Sequence, residues 1–411
     1  MSIVEKQPHR ASVAESFTIH IPDATLDDMY ERLRRTRYPE DFANDDWEYG
    51  FNTAYLRELV DYWITKYDWR ATERKMNELA HFKVQIQGIP IHFIHQKGKG
   101  PNPMPLLIHH GWPWTFWDLR RVIGPLTDPA AYGGDPQDAF DVVLISLPGH
   151  GFSIPLTQTG WNFHRTADLE AELMTDVLGY EKFATAGGDW GALIVDQLGH
   201  KHADKVIGLY CHLPIQLSHY LAEHPDVPPG IAYSNGLPEP SEYGEGEENW
   251  VQKNVGFFAK ESGYGYLQLS KPQTLAAALV DSPSGQLAWI AEKRRTWADT
   301  HGNIESVWSK DDLVTAATIY WTTATAGTAA RFYKEVLLNP WKPSHNRFPV
   351  VEAPTALGVF PADVLLMPKK WSEKYYNLKQ YRVHSGGGHF APFERPDEWL
   401  DDVRTFFRTL R

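Results

Sequence analysis

Lys182-Phe183-Ala184-Thr185-Ala186-Gly187-Gly188-Asp189-Trp190-Gly191-Ala192 is the stretch on which the reading of this chain turns. Residues 182–186 have the apolar character of a short buried strand, and Gly191 to Gly199 has helical character, so Asp189 falls on the turn between them. Gly187 and Gly191 carry no side chains to obstruct a sharp strand-to-helix turn, the geometry that lifts one side chain above a sheet edge. The residue lifted here is a carboxylate. The following helix points its positive end at that carboxylate and keeps it ionised, so the chemistry would run through an ester on aspartate. A Gly-rich turn with an N-capping Asp would use the same residues, and the rest of the chain has to separate the two readings.

Outward from this turn the sequence alternates short apolar runs with helical stretches. Pro105 to His110 and Phe140 to Ser146 read as buried parallel strands with a helix between them. Further strands are expected at Lys182 to Ala186, Val206 to Leu213, Thr355 to Val359 and Gln380 to His384. Phe82 to Ile86 and Ile89 to Ile94 form a hairpin turning at Gly88. Before them, Leu26, Met29, Leu33 and then Leu56, Leu59, Val60 and Trp63 recur at helical spacing. From Pro214 to about Ser344 the strand rhythm stops, and Pro-rich and acidic loops (Pro225 to Glu248) give way to Ala-rich and Trp-containing helices. The expected organisation is a helical extension over 1–80, an α/β core over 81–214 and 345–411, and a helical lid over 215–344. Such an insertion sits over the C-terminal ends of the strands, where open sheets bind ligands.

Composition narrows the class. The 411 residues carry a net charge of −12, with no dense basic segment for tracking phosphates, so nucleic acid is not an expected partner. Cys211 is the single cysteine and forms no intrachain disulfide; Met1 to Glu15 lacks the apolar core of a signal peptide. The expected compartment is cytoplasmic, with no membrane anchor. Leu313 to Ala330 has no formal charge, but its six threonines and one glycine suit a buried helix better than a lipid-facing one. Sixteen tryptophans and nineteen tyrosines supply rigid aromatic surface for an apolar pocket, although core packing must use most of them.

A carboxylate nucleophile needs a base to activate water for the second step. In the α/β-hydrolase fold that base is a late His, preceded in the chain by an orienting acid. Gly386-Gly387-Gly388-His389-Phe390 offers His389 on a flexible loop after the last strand, with His384 as its competitor. Asp363 follows the strand ending at Val359 and is the expected acid; Glu352 lies at the wrong end of that strand, and Glu373 reads as a polar helix face. Asp363 could alternatively cap the segment after it. His110-Gly111-Trp112-Pro113 follows a strand as an oxyanion-hole loop would, with the N–H groups of Trp112 and Trp190 as donors, Pro113 a candidate for a cis peptide, and His110, Gly111 and Pro113 beside the substrate. Leu147 to Ser153 forms another tight loop, structural or pocket-lining.

With these residues in place the chain resembles the epoxide hydrolases of the α/β-hydrolase fold, specifically the microsomal-type branch with an N-terminal helical extension. The resemblance runs through Tyr67-Asp68-Trp69-Arg70, Ile91 to His95, His110 to Pro113, Gly149 to Ser153, Gly187 to Gly191 and Gly388 to Phe390. It also includes Glu261-Ser262-Gly263-Tyr264, Lys271-Pro272 and Arg331 to Glu335 in the lid. It implies that Tyr264 and Tyr333 hydrogen-bond the epoxide oxygen, with Tyr266 close enough to compete for the first role. It further implies a soluble enzyme turning an apolar epoxide and water into a vicinal diol without metal or organic cofactor, and a homodimer is plausible for this branch. A haloalkane dehalogenase shares the aspartate nucleophile and the Trp after it, but halide leaves without a phenolic acid pair. A catalytically silent binding protein of the same fold would have no need of the full set.

Overall fold

The computed structural model describes residues 13–214 and 237–411. The first residues of the expected lid, 215–236, and most of the stretch read for a signal peptide lie outside the described residues.

The N-terminal segment opens with a two-residue edge strand β1 (Glu15–Ser16), unforeseen in a region read as helical, followed by helices α1 (Asp23–Arg34), α2 (Thr53–Thr65) and α3 (Trp69–Met76). Leu26, Met29 and Leu33 of α1 and Leu56, Leu59, Val60 and Trp63 of α2 are buried, as their spacing requires. Asn52 and Asp68 cap α2 and α3 by accepting from Tyr55 N and Ala71 N, each at 3.0 Å. Such caps stabilise a helix by about 1 kcal/mol.

β2 (His81–Ile86) and β3 (Ile89–Gln96) pair antiparallel across a turn in which both Gln87 (φ 51°) and Gly88 (φ 79°) are left-handed, the conformation of a tight two-residue hairpin. Next come β4 (Met104–Ile108), α4 (Arg120–Thr127), β5 (Phe140–Ile145), α5 (Phe163–Glu172), β6 (Phe183–Gly187), α6 (Trp190–Lys201) and β7 (Val206–Cys211). Among the described residues the sheet has nine strands in the order β1-β2-β3-β5-β4-β6-β7-β8-β9, where β8 is Val351–Val359 and β9 is Tyr376–Val383. From β5 to β9 the neighbours are parallel. Residues of β4, β5 and β6 are almost wholly buried, which explains runs without polar alternation. This is the α/β-hydrolase fold.

Between β7 and β8 the described helices are α7 (Trp250–Lys260), α8 (Gly263–Ser270), α9 (Pro272–Asp281), α10 (Pro283–Trp297), α11 (Lys310–Thr322) and α12 (Ala326–Leu338). Leu313 to Ala330, expected as one helix, is two. The chain breaks at Ala324, whose φ is 53°. Just before it, Thr318, Thr322 and Thr323 each turn a hydroxyl back onto the carbonyl four residues earlier, at 2.6 to 2.7 Å, a pattern that competes with regular helix propagation. After β8 come α13 (Lys369–Tyr375), α14 (Ala391–Glu394) and α15 (Pro396–Arg408). Among the described residues no helix is long and apolar enough to cross a membrane.

Candidate active site

The turn between β6 and α6 holds Asp189 at φ 54°, ψ −125°, a conformation rare for a residue with a side chain. Three glycines make it possible. A Cβ on Gly187 would lie 2.7 Å from the Gly191 backbone, one on Gly188 would lie 2.0 Å from His212 Nε2, and one on Gly191 would lie 2.6 Å from His109 Cβ. Gly188 was not singled out in the sequence; its constraint comes from β7, remote in the chain.

Asp189 Oδ1 accepts from Trp112 N at 2.8 Å and Trp190 N at 2.7 Å. The two expected oxyanion donors thus already grip one oxygen of the carboxylate. The loop can lie this close because residue 111 is glycine; a Cβ there would sit 2.3 Å from Asp189 Cβ. The Trp112-Pro113 peptide is cis. His110 is buried and uses both ring nitrogens on backbone, Nδ1 donating to Gly111 O at 2.9 Å and Nε2 accepting from Leu147 N at 3.1 Å. It braces the loops after β4 and β5 against each other. Pro113 offers its carbonyl to Arg294 Nη2 at 2.9 Å.

On the other side of Asp189, His389 Nε2 stands 3.3 Å from Oδ2, within ion-pair range and off the hydrogen-bond direction. His389 Nδ1 bonds Asp363 Oδ1 at 2.9 Å, and Asp363 Oδ1 also accepts from Val364 N at 2.7 Å, so orienting and capping coexist in one carboxylate. The loop glycines are explained by packing: a Cβ on Gly388 would lie 2.5 Å from Trp297 O. The competing residues are occupied elsewhere. His384 Nε2 pairs with Asp402 at 2.8 Å, Glu352 with Arg347, and Glu373 with Lys369.

Electrostatics follow from this enclosure. Burial alone would pull the His389 imidazolium down, but the Asp363 charge and the contacts to Asp189 and Asp363 outweigh it and hold the ring up at about 9. Burial raises Asp363, with His389 acting in the opposite direction.

Tyr264 and Tyr333 both reach this site from the helices. The Tyr264 ring lies parallel to Trp112 with centroids 4.9 Å apart, and Tyr333 stands edge-on to Trp190 at 4.6 Å; the two tyrosine rings are 6.0 Å apart. Tyr266 is 46% exposed, against 7% for Tyr264, which separates the two candidates.

Several residues of the site gave no signal in the sequence. Arg294 and Asp118 form a buried bidentate pair at 2.8 and 2.9 Å that ties α10 to the loop carrying Trp112. Arg294 belongs to Lys293-Arg294-Arg295, a run that reads as solvated helix face. Glu394 accepts from the backbone N–H groups of Gly388, Phe390 and Asp299 at 2.7 to 3.1 Å and so clamps the His389 loop. Burial lifts its carboxyl to about 7, against the pull of those N–H groups. Trp297 packs on Trp112, Tyr264 and His389 together.

Comparison with known proteins identifies the family. The family described as "Epoxide hydrolase N terminus" matches residues 14–119, and "alpha/beta hydrolase fold" matches residues 104–263. Epoxide hydrolase 1 of Oryctolagus cuniculus is 34% identical over 95% of this chain and 88% of its own length, and epoxide hydrolase 1 of Sus scrofa is 33% identical over 96% and 88%. The chain belongs to the epoxide hydrolases. Among solved structures, the epoxide hydrolase of Aspergillus niger superposes with a TM-score of 0.82 at 25% identity, covering 99% of both chains. This epoxide hydrolase thus shares its fold, N-terminal segment included, with the Aspergillus niger enzyme.

Proposed function

We propose that this epoxide hydrolase opens apolar epoxides through a covalent ester on Asp189, which His389-activated water then hydrolyses to a vicinal diol. The observation that carries the proposal is the division of labour between the two oxygens of Asp189. Oδ1 is held by two N–H donors, which leaves Oδ2 to attack an epoxide carbon. The C–O bond that breaks leaves an alkoxide. Tyr264 and Tyr333, on the helices above, supply phenolic hydrogens to stabilise and protonate it. The helices between β7 and β8 act as a lid whose aromatic rings suit an apolar substrate.

Ester formation itself prepares the second step. In the resting enzyme two carboxylates keep the proton on His389. Esterification neutralises Asp189, so one of those attractions disappears and the ring releases its proton, which restores the phenol. Neutral His389, oriented by Asp363, then takes a proton from water as the oxygen attacks the ester carbon. The charge that develops on Oδ1 falls between Trp112 N and Trp190 N. Collapse of the intermediate expels the diol oxygen, which takes the proton from His389, and the Asp189 carboxylic acid so formed hands the remaining water proton to His389, which restores both the carboxylate and the imidazolium. No step calls for a metal or an organic cofactor.

The test is diol formation from terminal, cis, trans and trisubstituted epoxides, measured by mass spectrometry for the wild type beside Asp189→Ala. The variant is expected to lose at least about ten-thousandfold in turnover. Diol formation by Asp189→Ala at a rate near the wild type's sinks the mechanism.

A further inference from the structure

We propose that His109 and Glu170 share a buried proton and act as a positioning pair for the oxyanion hole, setting the spacing between its two N–H donors. The inference rests on the reading of Asp189 as nucleophile.

The proton follows from valence. His109 Nδ1 lies 3.0 Å from the carbonyl oxygen of Ala186, which can only accept, so Nδ1 carries a hydrogen. Nε2 lies 2.7 Å from Glu170 Oε2. Either an imidazolium donates to a carboxylate or a neutral ring accepts from a carboxylic acid; both place one further proton in that contact. The two side chains have no solvent exposure, and Glu170 Oε1 has no hydrogen-bond partner. Burial pushes the Glu170 carboxyl up, and His109 draws it back. Apolar side chains of the same volume would fill such a site with equal or better stability, so packing alone does not call for this pair.

Its position suggests what does. His109 directly follows β4, and the chain continues into the loop that delivers Trp112 N to Asp189. Its backbone N and its Nδ1 both donate to Ala186 O, at the end of β6 just before the elbow. Its Cβ is the atom against which Gly191, the second residue of α6, is packed. Glu170 fixes the ring from α5. One side chain therefore spans the segment bearing the first oxyanion donor, the strand entering the elbow and the helix whose first N–H is the second donor. Neither His109 nor Glu170 touches the reacting atoms.

The two half-reactions separate positioning from mere structural support. The oxyanion hole takes up developing charge during ester hydrolysis and only orients Asp189 during ring opening, so a loosened hole slows the second step selectively. Single-turnover reactions with styrene oxide, followed by rapid quench and intact mass, read ester formation and decay separately. Glu170→Ala, and the double variant His109→Leu with Glu170→Leu, are expected to form the ester within about threefold of the wild-type rate and to hydrolyse it about tenfold or more slowly. Glu170→Gln, whose amide can donate to a neutral Nε2, is expected to bring hydrolysis back to within about threefold. The double variant fills the site with apolar volume and keeps the test open if Glu170→Ala fails to fold. Hydrolysis at the wild-type rate in the double variant, or an equal loss in both steps, overturns the proposal. A wild-type enzyme that never forms an ester refutes the Asp189 reading first, and that result is visible before any variant is made.

Discussion

On the sheet side of the site, Asp189, its two N–H donors, His389 and Asp363 are joined by contacts of 2.7 to 3.3 Å between named polar atoms. On the helix side, Tyr264 and Tyr333 make ring contacts, with centroids 4.6 to 6.0 Å from Trp190, Trp112 and each other. The first kind of contact is directional and fixes atoms, and each charge-assisted bond contributes about 1.5 to 3 kcal/mol. The second fixes planes, at about 0.5 to 1.5 kcal/mol per pair, and tolerates small shifts. Ester hydrolysis uses the same atoms whatever the substrate, whereas ring opening must meet epoxides of different shape. In the proposed mechanism the first wall would serve ester hydrolysis and the second ring opening. Arg294, bonded to Asp118 and Pro113 O, and Glu394, accepting from Asp299 N as well as from the His389 loop, tie the two walls together.

The sharpest way to break this division is His389→Gln. The variant should open one epoxide and then stall, with turnover reduced at least about a thousandfold and the mass of one substrate added to the protein. An unmodified mass after exposure to a good substrate would remove His389 from the second step. Next in size, Tyr264→Phe combined with Tyr333→Phe should slow ring opening about a hundredfold or more, well beyond either single change, while a preformed ester decays at the wild-type rate. If both steps slow together, the tyrosines belong to the first wall and the division fails.

The smallest effect concerns stability. His389 is held at about 9, above the ordinary imidazole value of 6.5. A group raised on folding contributes stability that is fully present below its unfolded value and lost as pH rises through the folded one. The wild-type melting temperature should therefore fall between about pH 7 and pH 10 relative to His389→Gln, which has no such proton to lose. Parallel pH profiles for the two proteins would show that the sheet-side carboxylates do not hold the proton.

How much of this was legible in the chain follows the same division. Asp189, His389 and the loop at Trp112 stood out because each lies beside glycine after a strand, and glycine marks backbone that must bend or approach closely, whereas Asp363 stood out because it follows the end of the strand closing at Val359. Tyr264 and Tyr333 emerged only through family resemblance, since a tyrosine on a helix is usually core and Tyr266 offered the same signal. The break at Ala324 escaped notice because alanine favours helix, and three neighbouring threonine hydroxyls overrode that preference locally. Arg294, Glu394 and the pair His109 and Glu170 were invisible because their partners are distant in the chain; a charged residue in a helix carries no mark of being buried.

The sequence by itself determined the order of the strands from β2 to β9, the carboxylate on the elbow, and the late His and its acid, because local backbone demands write themselves in glycine, strand runs and spacing. The tertiary structure alone decided which tyrosine turns inward, which oxygen of Asp189 is held, and which buried charges brace the loops. Those depend on side chains meeting across long stretches of chain, where distance and desolvation, not local propensity, set the energy.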